Sequence, residues 1–462
     1  MDPAAVSEGE DVEAAESHYG LRANVLSPME TLAQSVSMIA PSTSAAMTVP
    51  LVFALAGEGT SLAYVLAMGS MLLVALCIAT FARGSASPGS LYVYARSSLP
   101  PVFGAMTAWA LYFAYVFTAA SVIGGFVSFA YVFLGGLGQY VPTVVVAGVA
   151  AGVATWVAYR DIQISARLML WVEVISVMLI GVVVGMTIWR HGLHLDWPQL
   201  TLRGASPSSV RLGVMLAIFS FVGFESATSL GSEAKDPLRT IPRAVTWSAL
   251  LTGAFFVVVA YGEVLGFRGA QSGLAESAAP MRILSREMGV GGLGPFIDAG
   301  VLVSMFAAAL ACVISGARLL LLMARHGLVS SALGRTHSVH ETPALAGLIT
   351  GVLSFLPVAW LARRGASGAD VYGWMGSLAV YGFLTAYALV SFAALVYGRR
   401  QAHGVRTTTL AMLAGLAMVA ALVGTLFPVP PPPYRYFPYI YGGYLGMAFV
   451  WYVASRARRA TR

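Results

Sequence analysis

The chain has 462 residues, of which 58% are hydrophobic and only 10% are charged. Soluble proteins carry about 25% charged residues, so this composition excludes an ordinary soluble enzyme, a nucleic-acid-binding domain and a disordered scaffold. The net charge of +7 is therefore interpreted as charge on the loops around a membrane-embedded core.

The chain begins with an acidic segment. Residues 1–26 contain six acidic residues, and the first 20 positions contain no basic residue. A secretory signal peptide starts with basic residues, so this segment is predicted to be a disordered acidic tail in the cytoplasm.

Twelve apolar runs follow, each long enough to cross a membrane, since a membrane helix needs about 20 mostly apolar residues. They lie at 32–56, 61–82, 101–134, 141–159, 164–189, 211–231, 241–266, 295–324, 343–362, 371–397, 408–427 and 436–454. The third and eighth runs are long, and each is predicted to be one tilted helix because neither has a polar break.

Basic residues indicate which side of the membrane each loop faces, because Lys and Arg concentrate in cytoplasmic loops. With the N-terminus inside, 18 of the 27 Lys and Arg residues fall on the cytoplasmic side. This bias predicts a multi-pass protein of the cytoplasmic membrane with both termini in the cytoplasm.

The first run contains a proline at mid-span, followed by three hydroxyl residues. A proline removes a helical hydrogen bond, and at membrane depth the freed backbone groups need partners. A bound polar ligand is one such partner, and a proline kink with serines bonded to their own helix is the alternative. The candidate substrate segment is formed by Ala40, Pro41, Ser42, Thr43, Ser44 and Ala45.

The sixth run has a second potential break, where Gly223 lies among bulky aromatic residues and is followed by an acid, Glu225. A carboxylate inside a membrane span costs at least about 2.5 kcal/mol, and such residues are usually functional. A structural acid bonded to unwound backbone is the alternative. The second candidate substrate segment consists of Phe219, Ser220, Phe221, Val222, Gly223 and Phe224.

The two breaks are five spans apart, which is the spacing of two inverted five-helix repeats that each open with a discontinuous helix. A transporter core is therefore predicted over 27–400, with repeats at about 27–190 and 205–400. Helices 11 and 12 and a basic C-terminal tail occupy 401–462.

Several motifs resemble those of the amino acid–polyamine–organocation superfamily of transporters, in family order over about residues 30 to 400. The motifs are PGSLYVY at 88–94, Trp109, SAR at 165–167, FSFVGFES at 219–226, EAKDPLRTIPR at 233–243 and RLLLLMARHG at 318–327. The resemblance implies an all-α, leucine-transporter-like fold whose substrate lies between helices one, three, six, eight and ten.

The resemblance also implies roles for single residues. Phe219 matches an aromatic gate, the carbonyl of Val222 matches a group that takes the substrate amine, and Glu225 matches an acid tied to proton coupling. Tyr115 on the third span is a candidate pocket residue. The family's first-helix glycines are absent, because the matching positions carry Thr43, Ser44 and Ala45. This departure weakens the expectation of a carboxylate-holding site, since glycine permits close backbone approach.

Coupling residues are predicted on the fifth helix. Some proton-coupled relatives carry a lysine there, at the position that matches Ser176, but the only lysine of this chain is Lys235 in a loop. Glu173 lies three positions earlier, on roughly the same helix face. It is expected to carry a proton, to attract a cationic amine or to anchor an arginine.

The sequence thus predicts a secondary permease, not an enzyme, that moves an amino acid or related amine by alternating access, coupled to protons or by exchange. A polyamine or organic-cation carrier, or an exporter, of the same fold is the alternative, and a non-transporting membrane sensor is the alternative from another class. The expected partners are a small solute, a proton or other ion and membrane lipid. No cofactor, metal or nucleic-acid partner is predicted. Glu263 and Asp298, near span ends, are expected to reach the membrane interface.

Overall fold

The computed structural model describes most of the chain. The described residues are 20–21, 24–135, 140–160, 162–192, 194–268, 270, 273–338, 340–400, 405–427, 429–430 and 432–460, without the side chains of 162–166 and 457–460. Most of the predicted acidic tail falls outside these residues, and so do the last two residues of the predicted basic C-terminal tail.

The first half of the chain forms helices that are broken near residue 40 and again after residue 219. In chain order they are α1 (Pro28–Ile39), α2 (Pro41–Thr43), a π-helix (Ser44–Thr48), α3 (Val49–Ala56), a 3₁₀ turn (Gly57–Gly59), α4 (Thr60–Ala82), α5 (Ser90–Ser98), α6 (Pro101–Leu134), α7 (Thr143–Arg160), α8 (Ile162–Arg190), α9 (Trp197–Leu200), α10 (Pro207–Phe219) and a 3₁₀-helix (Phe224–Leu230).

The second half is again helical. Its helices are α11 (Pro237–Gly266), α12 (Pro280–Glu287), α13 (Gly294–Arg325), α14 (Ala344–Arg363), α15 (Gly368–Arg400), α16 (Val405–Gly424) and α17 (Phe437–Ala460), with 3₁₀ turns at Leu274–Glu276, Gly291–Leu293, Ser331–Gly334 and Tyr434–Tyr436. The described residues contain no β-strand, only an isolated bridge between Leu26 and Ala234.

Ten helical stretches of the described chain are long and apolar enough to cross a membrane. The first, Pro28–Ala82, covers both the first and the second predicted runs, and α6 and α13 are each unbroken as predicted. The last helix, α17, lies at the twelfth predicted run but is not among the ten, so the count of twelve spans stays a prediction.

The centre of the bundle is formed by α6, α13 and α15 together with the broken helices. Small residues let these helices approach closely: a Cβ on Gly382 of α15 would overlap the carbonyl oxygen of Ala110 on α6. This close packing fixes the positions of the tyrosines on α6 and α15 that face the second break.

Candidate substrate and coupling site

The first break lies at Ala40, one residue before the proline that predicted it. Ala40 adopts a left-handed conformation with φ 50° and ψ 66°, which ends α1, and Pro41 begins the next helical segment. A wider π-helix then spans Ser44–Thr48. The first membrane span therefore consists of two half-helices, and the six candidate residues from Ala40 to Ala45 are all buried.

Glu173 of α8 reaches this break. Its Oε1 accepts the backbone N–H of Ser42 at 2.8 Å, at the amino end of the second half-helix. A negative group is stabilised at a helix amino end because the amides there lack helical partners. Of the roles predicted for Glu173, the arginine anchor has no counterpart among the described ion pairs, and the backbone amide is the partner instead.

A second contact at this break joins it to α13. The hydroxyl of Thr43 donates to the hydroxyl of Ser304 at 3.2 Å. Two hydroxyl oxygens nearby on α2 and α8, those of Ser42 and Ser176, are buried without a hydrogen-bond partner in the described structure. Ser176 packs against Gly300 of α13, so it faces the bundle.

The second break covers residues 220–223, between α10 and the 3₁₀-helix. Gly223 has φ +103°, a conformation that side-chain-bearing residues rarely adopt. A Cβ at Gly223 would also overlap Met38, which lies two residues before the first break. The two breaks therefore touch each other, and glycine is required at their contact.

Glu225 lies immediately after this break and is fully buried. Three donors surround its carboxylate: the Tyr387 hydroxyl donates to Oε2 at 2.6 Å, the Gly223 N–H to Oε2 at 3.1 Å, and the Tyr115 hydroxyl to Oε1 at 3.3 Å. These donors come from α15, the break itself and α6. The acid thus links the unwound backbone to two scaffold helices.

Side chains of α1 also hold the second break. The hydroxyl of Ser35 donates to the carbonyl of Phe224 at 2.7 Å and accepts the N–H of Ala227 at 3.1 Å. The Ser226 hydroxyl donates to the carbonyl of Gln34 at 3.2 Å. Backbone groups freed by the break are therefore satisfied by the other broken span, as burial at membrane depth requires.

The other predicted residues of the sixth span point in different directions. Phe219 meets Tyr372 of α15 edge to face with ring centroids 5.8 Å apart, and the Tyr372 hydroxyl bonds Thr48 at 2.7 Å. Ser220 bonds Tyr64, whereas Phe221 packs on Phe256 of α11. Val222 and Phe224 are buried; Val222 lies within the break, and Phe224 packs against Tyr387.

A cavity of about 180 Å³ lies on the Phe219 side of the breaks. It is lined by residues of α3, α10 and α15, including Leu216, which precedes Phe219 by one helical turn. Ser377 and Tyr381 of α15 also line it. Phe219 and Tyr372 are not among its lining residues, so the gate role of Phe219 stays a prediction.

Sequence reasoning missed Tyr387, Tyr372 and Ser304, which contribute contacts as close as those of the predicted residues. One signal was available for the tyrosines: a tyrosine inside an apolar span needs a partner for its hydroxyl when buried. That rule indicates a polar contact but does not identify the partner.

The prediction that Glu263 and Asp298 reach the membrane interface is wrong. Glu263 of α11 has no exposed surface, and both of its carboxylate oxygens lack a partner among the described residues. Asp298 of α13 is buried and bonds Arg282 of α12. Both acids are covered because α11 and α12 pack onto the bundle. Hydropathy along the sequence does not predict this packing.

Comparison with known proteins agrees with this arrangement. The amino acid permease family matches residues 26–450, which is nearly the whole chain. The chain belongs to the amino acid permease family.

Relatives of different substrate classes are similar to the chain. A branched-chain amino acid permease, BcaP of Bacillus subtilis, is 25% identical over 75% of this chain and 75% of its own length. An uncharacterised transporter of Mycobacterium tuberculosis is 30% identical over 79% and 78%. A low-affinity putrescine importer, PlaP of Escherichia coli, is 27% identical over 64% and 66%.

The fold also matches a solved transporter. The crystal structure of MhsT in complex with L-phenylalanine aligns with a TM-score of 0.59 at 14% identity, covering 88% of this chain and 99% of that one. This permease therefore has the leucine-transporter-like fold, with discontinuous first and sixth helices. It is a multi-pass membrane transporter of a small solute.

Proposed function

We propose that this permease is a secondary transporter of the cytoplasmic membrane that moves an amino acid or related amine by alternating access. The proposal rests on the contact between the two broken spans at Gly223 and Met38. Backbone groups that have lost their helical partners and the buried carboxylates of Glu173 and Glu225 lie around this contact. Broken helices of this kind bind small polar solutes near the midplane of the membrane.

Glu225 is proposed to couple transport to protons. Its carboxylate is buried and accepts hydrogen bonds from both the break and the scaffold helices, so a change in its protonation alters contacts on both sides. A proton on one oxygen would turn an acceptor into a donor, and at least one of the three bonds would have to rearrange.

Replacing Glu225 with Gln keeps the side-chain size but removes the titratable group. We expect uptake into proteoliposomes to lose its dependence on external pH, while substrate binding remains measurable. Tyr387→Phe is the matched control, because it removes one hydrogen bond but keeps the acid. An unaltered pH profile in Glu225→Gln would exclude Glu225 from coupling.

A second candidate, a polyamine or other organic-cation carrier, is favoured by the contact between Glu173 and Ser42. A carboxylate of the chain already occupies the half-helix amino end that a substrate carboxylate would need. The same carboxylate offers a negative charge to an amine.

A thermal-shift panel on the purified protein distinguishes the two candidates, because a ligand that binds only the folded state raises the melting temperature. Protection by branched-chain or aromatic amino acids supports the first candidate. Protection by putrescine together with none by amino acids would reverse the choice. Glu173→Gln should reduce protection by diamines more than protection by amino acids.

A further inference from the structure

A groove separate from the two breaks lies between α7, α13 and α14. Its volume is about 660 Å³, and its lining is mostly apolar, including Gly148, Gly152, Trp156, Tyr159, Gly347 and Phe355. Its floor is formed by α13 around Ile314 and Arg318. None of the predicted substrate or coupling residues lines it.

The groove faces the surroundings of the bundle. In the most apolar part of α7 only 22% of the residues are buried, and in that of α14 only 33%. In the stretch that contains α13 the corresponding share is 78%. Trp156 is 55% exposed and Leu348 is 54% exposed. Water in an apolar groove at membrane depth would find few hydrogen-bond partners, so hydrocarbon is the occupant expected there.

The length of the groove corresponds to a single leaflet. From Gly148 to Tyr159 along α7 is 11 residues, which at 1.5 Å per residue is about 17 Å. The hydrocarbon core of a bilayer is about 30 Å thick, so one leaflet contributes about 15 Å. One acyl chain lying along α7 would therefore fill the groove from its mouth at Tyr159 to its inner end.

A cation lies at the mouth of the groove. The guanidinium carbon of Arg160 lies 5.1 Å from the ring centroid of Trp156, which is itself a lining residue. Arg160 is exposed and forms no ion pair with any described carboxylate, whereas Arg318 at the floor is bound by both oxygens of Glu233. Arg160 is therefore the arginine available to a phosphate, which guanidinium groups bind in a bidentate manner.

We propose that the groove between α7 and α14 binds an anionic phospholipid, with one acyl chain between the helices and the lipid phosphate on Arg160. The apolar walls select hydrocarbon, and the positive charge at the mouth selects an anionic head group over a zwitterionic one. This site is independent of the substrate that the permease carries.

Two glycine substitutions test the acyl-chain site. A Cβ at Gly152 would meet no atom within 4 Å, so Gly152→Leu places a side chain in the groove with no overlap at its Cβ. Gly181 of α8 is also exposed, a Cβ there also meets nothing, and it does not line the groove, so Gly181→Leu is the matched control. The full-length protein is purified from bilayers that contain equal amounts of phosphatidylglycerol and phosphatidylcholine with identical chains, and the retained lipids are counted by native mass spectrometry.

The wild type and Gly181→Leu should retain phosphatidylglycerol in preference to phosphatidylcholine, and Gly152→Leu should lose this retention. Arg160→Gln should retain both lipids to the same extent, because it removes the charge and leaves the groove open. Arg160 is exposed, so this variant tests the head-group contact even if Gly152→Leu does not fold.

Three outcomes would overturn the proposal. One is equal retention of phosphatidylglycerol by Gly152→Leu and the wild type. Another is equal retention of the two lipids by the wild type, which would indicate a neutral occupant. The third is a dimer in the wild type that Gly152→Leu converts to a monomer, which would make the groove an interface between copies of this chain.

Discussion

Glu263 is the residue whose surroundings differ most from what its chemistry requires. Its carboxyl group is fully buried in α11, and neither oxygen has a partner in the described structure. A buried polar group without a hydrogen bond costs about 1–3 kcal/mol. An acid kept at such a cost inside a membrane helix is typical of a functional residue.

Glu263→Met, which keeps the length and removes both oxygens, should therefore raise the free energy of unfolding by about 1–3 kcal/mol. Thermal unfolding in detergent without substrate measures the change. Asp298→Asn is the control and should have the opposite effect on stability. It weakens the buried ion pair with Arg282 and should therefore lower the free energy of unfolding. A less stable Glu263→Met would mean that the carboxyl group has a partner; a more stable variant that no longer transports would indicate a role for Glu263 in transport.

At the level of single elements, the two breaks contain different residues at the position where the backbone adopts a positive φ. Both need a residue with positive φ, at Ala40 in the first span and at Gly223 in the sixth. A left-handed conformation costs an L-residue about 1–2 kcal/mol, and glycine avoids this cost. The first break is therefore strained where the second is not.

This difference predicts opposite effects of exchanging the two residues. Ala40→Gly should leave the break intact and stabilise the protein by up to about 1 kcal/mol. Gly223→Ala should destabilise it and abolish uptake, since the new Cβ would both adopt an unfavourable φ and overlap Met38. Thermal unfolding and uptake of the two variants, measured side by side, check the prediction. Equal effects of the two substitutions would contradict the assignment of strain.

At the level of the whole molecule, one end of the bundle is closed by contacts between distant segments. The N–H of Leu26 donates to the carbonyl of Glu233 at 2.9 Å, and the N–H of Lys235 donates to the carbonyl of Leu26 at 2.8 Å. Glu233 also forms a buried, two-point pair with Arg318 at 2.6 and 2.7 Å. The chain before the first break is thereby attached to the loop after the second break and to α13.

Removing one partner of a buried ion pair costs about 3–5 kcal/mol, so Glu233→Gln should open this end more often. Cys312 of α13 is buried, so its labelling reports access to the interior of the bundle. With Cys77→Ser as background, a small maleimide should label Cys312 several-fold faster in Glu233→Gln. Arg239→Gln, which removes an exposed contact between the first turn of α11 and Asp236 just before it, should leave the rate unchanged. Equal labelling rates in both variants would contradict this closure.

Much of the architecture follows from the sequence, because the relevant signals are local. Span lengths depend on runs of neighbouring apolar residues, and Pro41 and Gly223 mark the breaks through their own backbone chemistry. Those signals predicted the fold class and the two discontinuous helices, and the motifs resembled those of the family; all three are confirmed. The substrate, the coupling ion and the orientation in the membrane stay predictions.

The tertiary structure alone decided which groups meet. Glu173 and Ser42 are 131 positions apart and Tyr387 and Glu225 are 162 apart, so no local pattern pairs them. The burial of Glu263 likewise depends on how α11 packs against its neighbours and not on the residues beside it in the chain. Hydropathy determines that a segment is in the membrane, whereas helix packing determines which face of it is covered and by which partner.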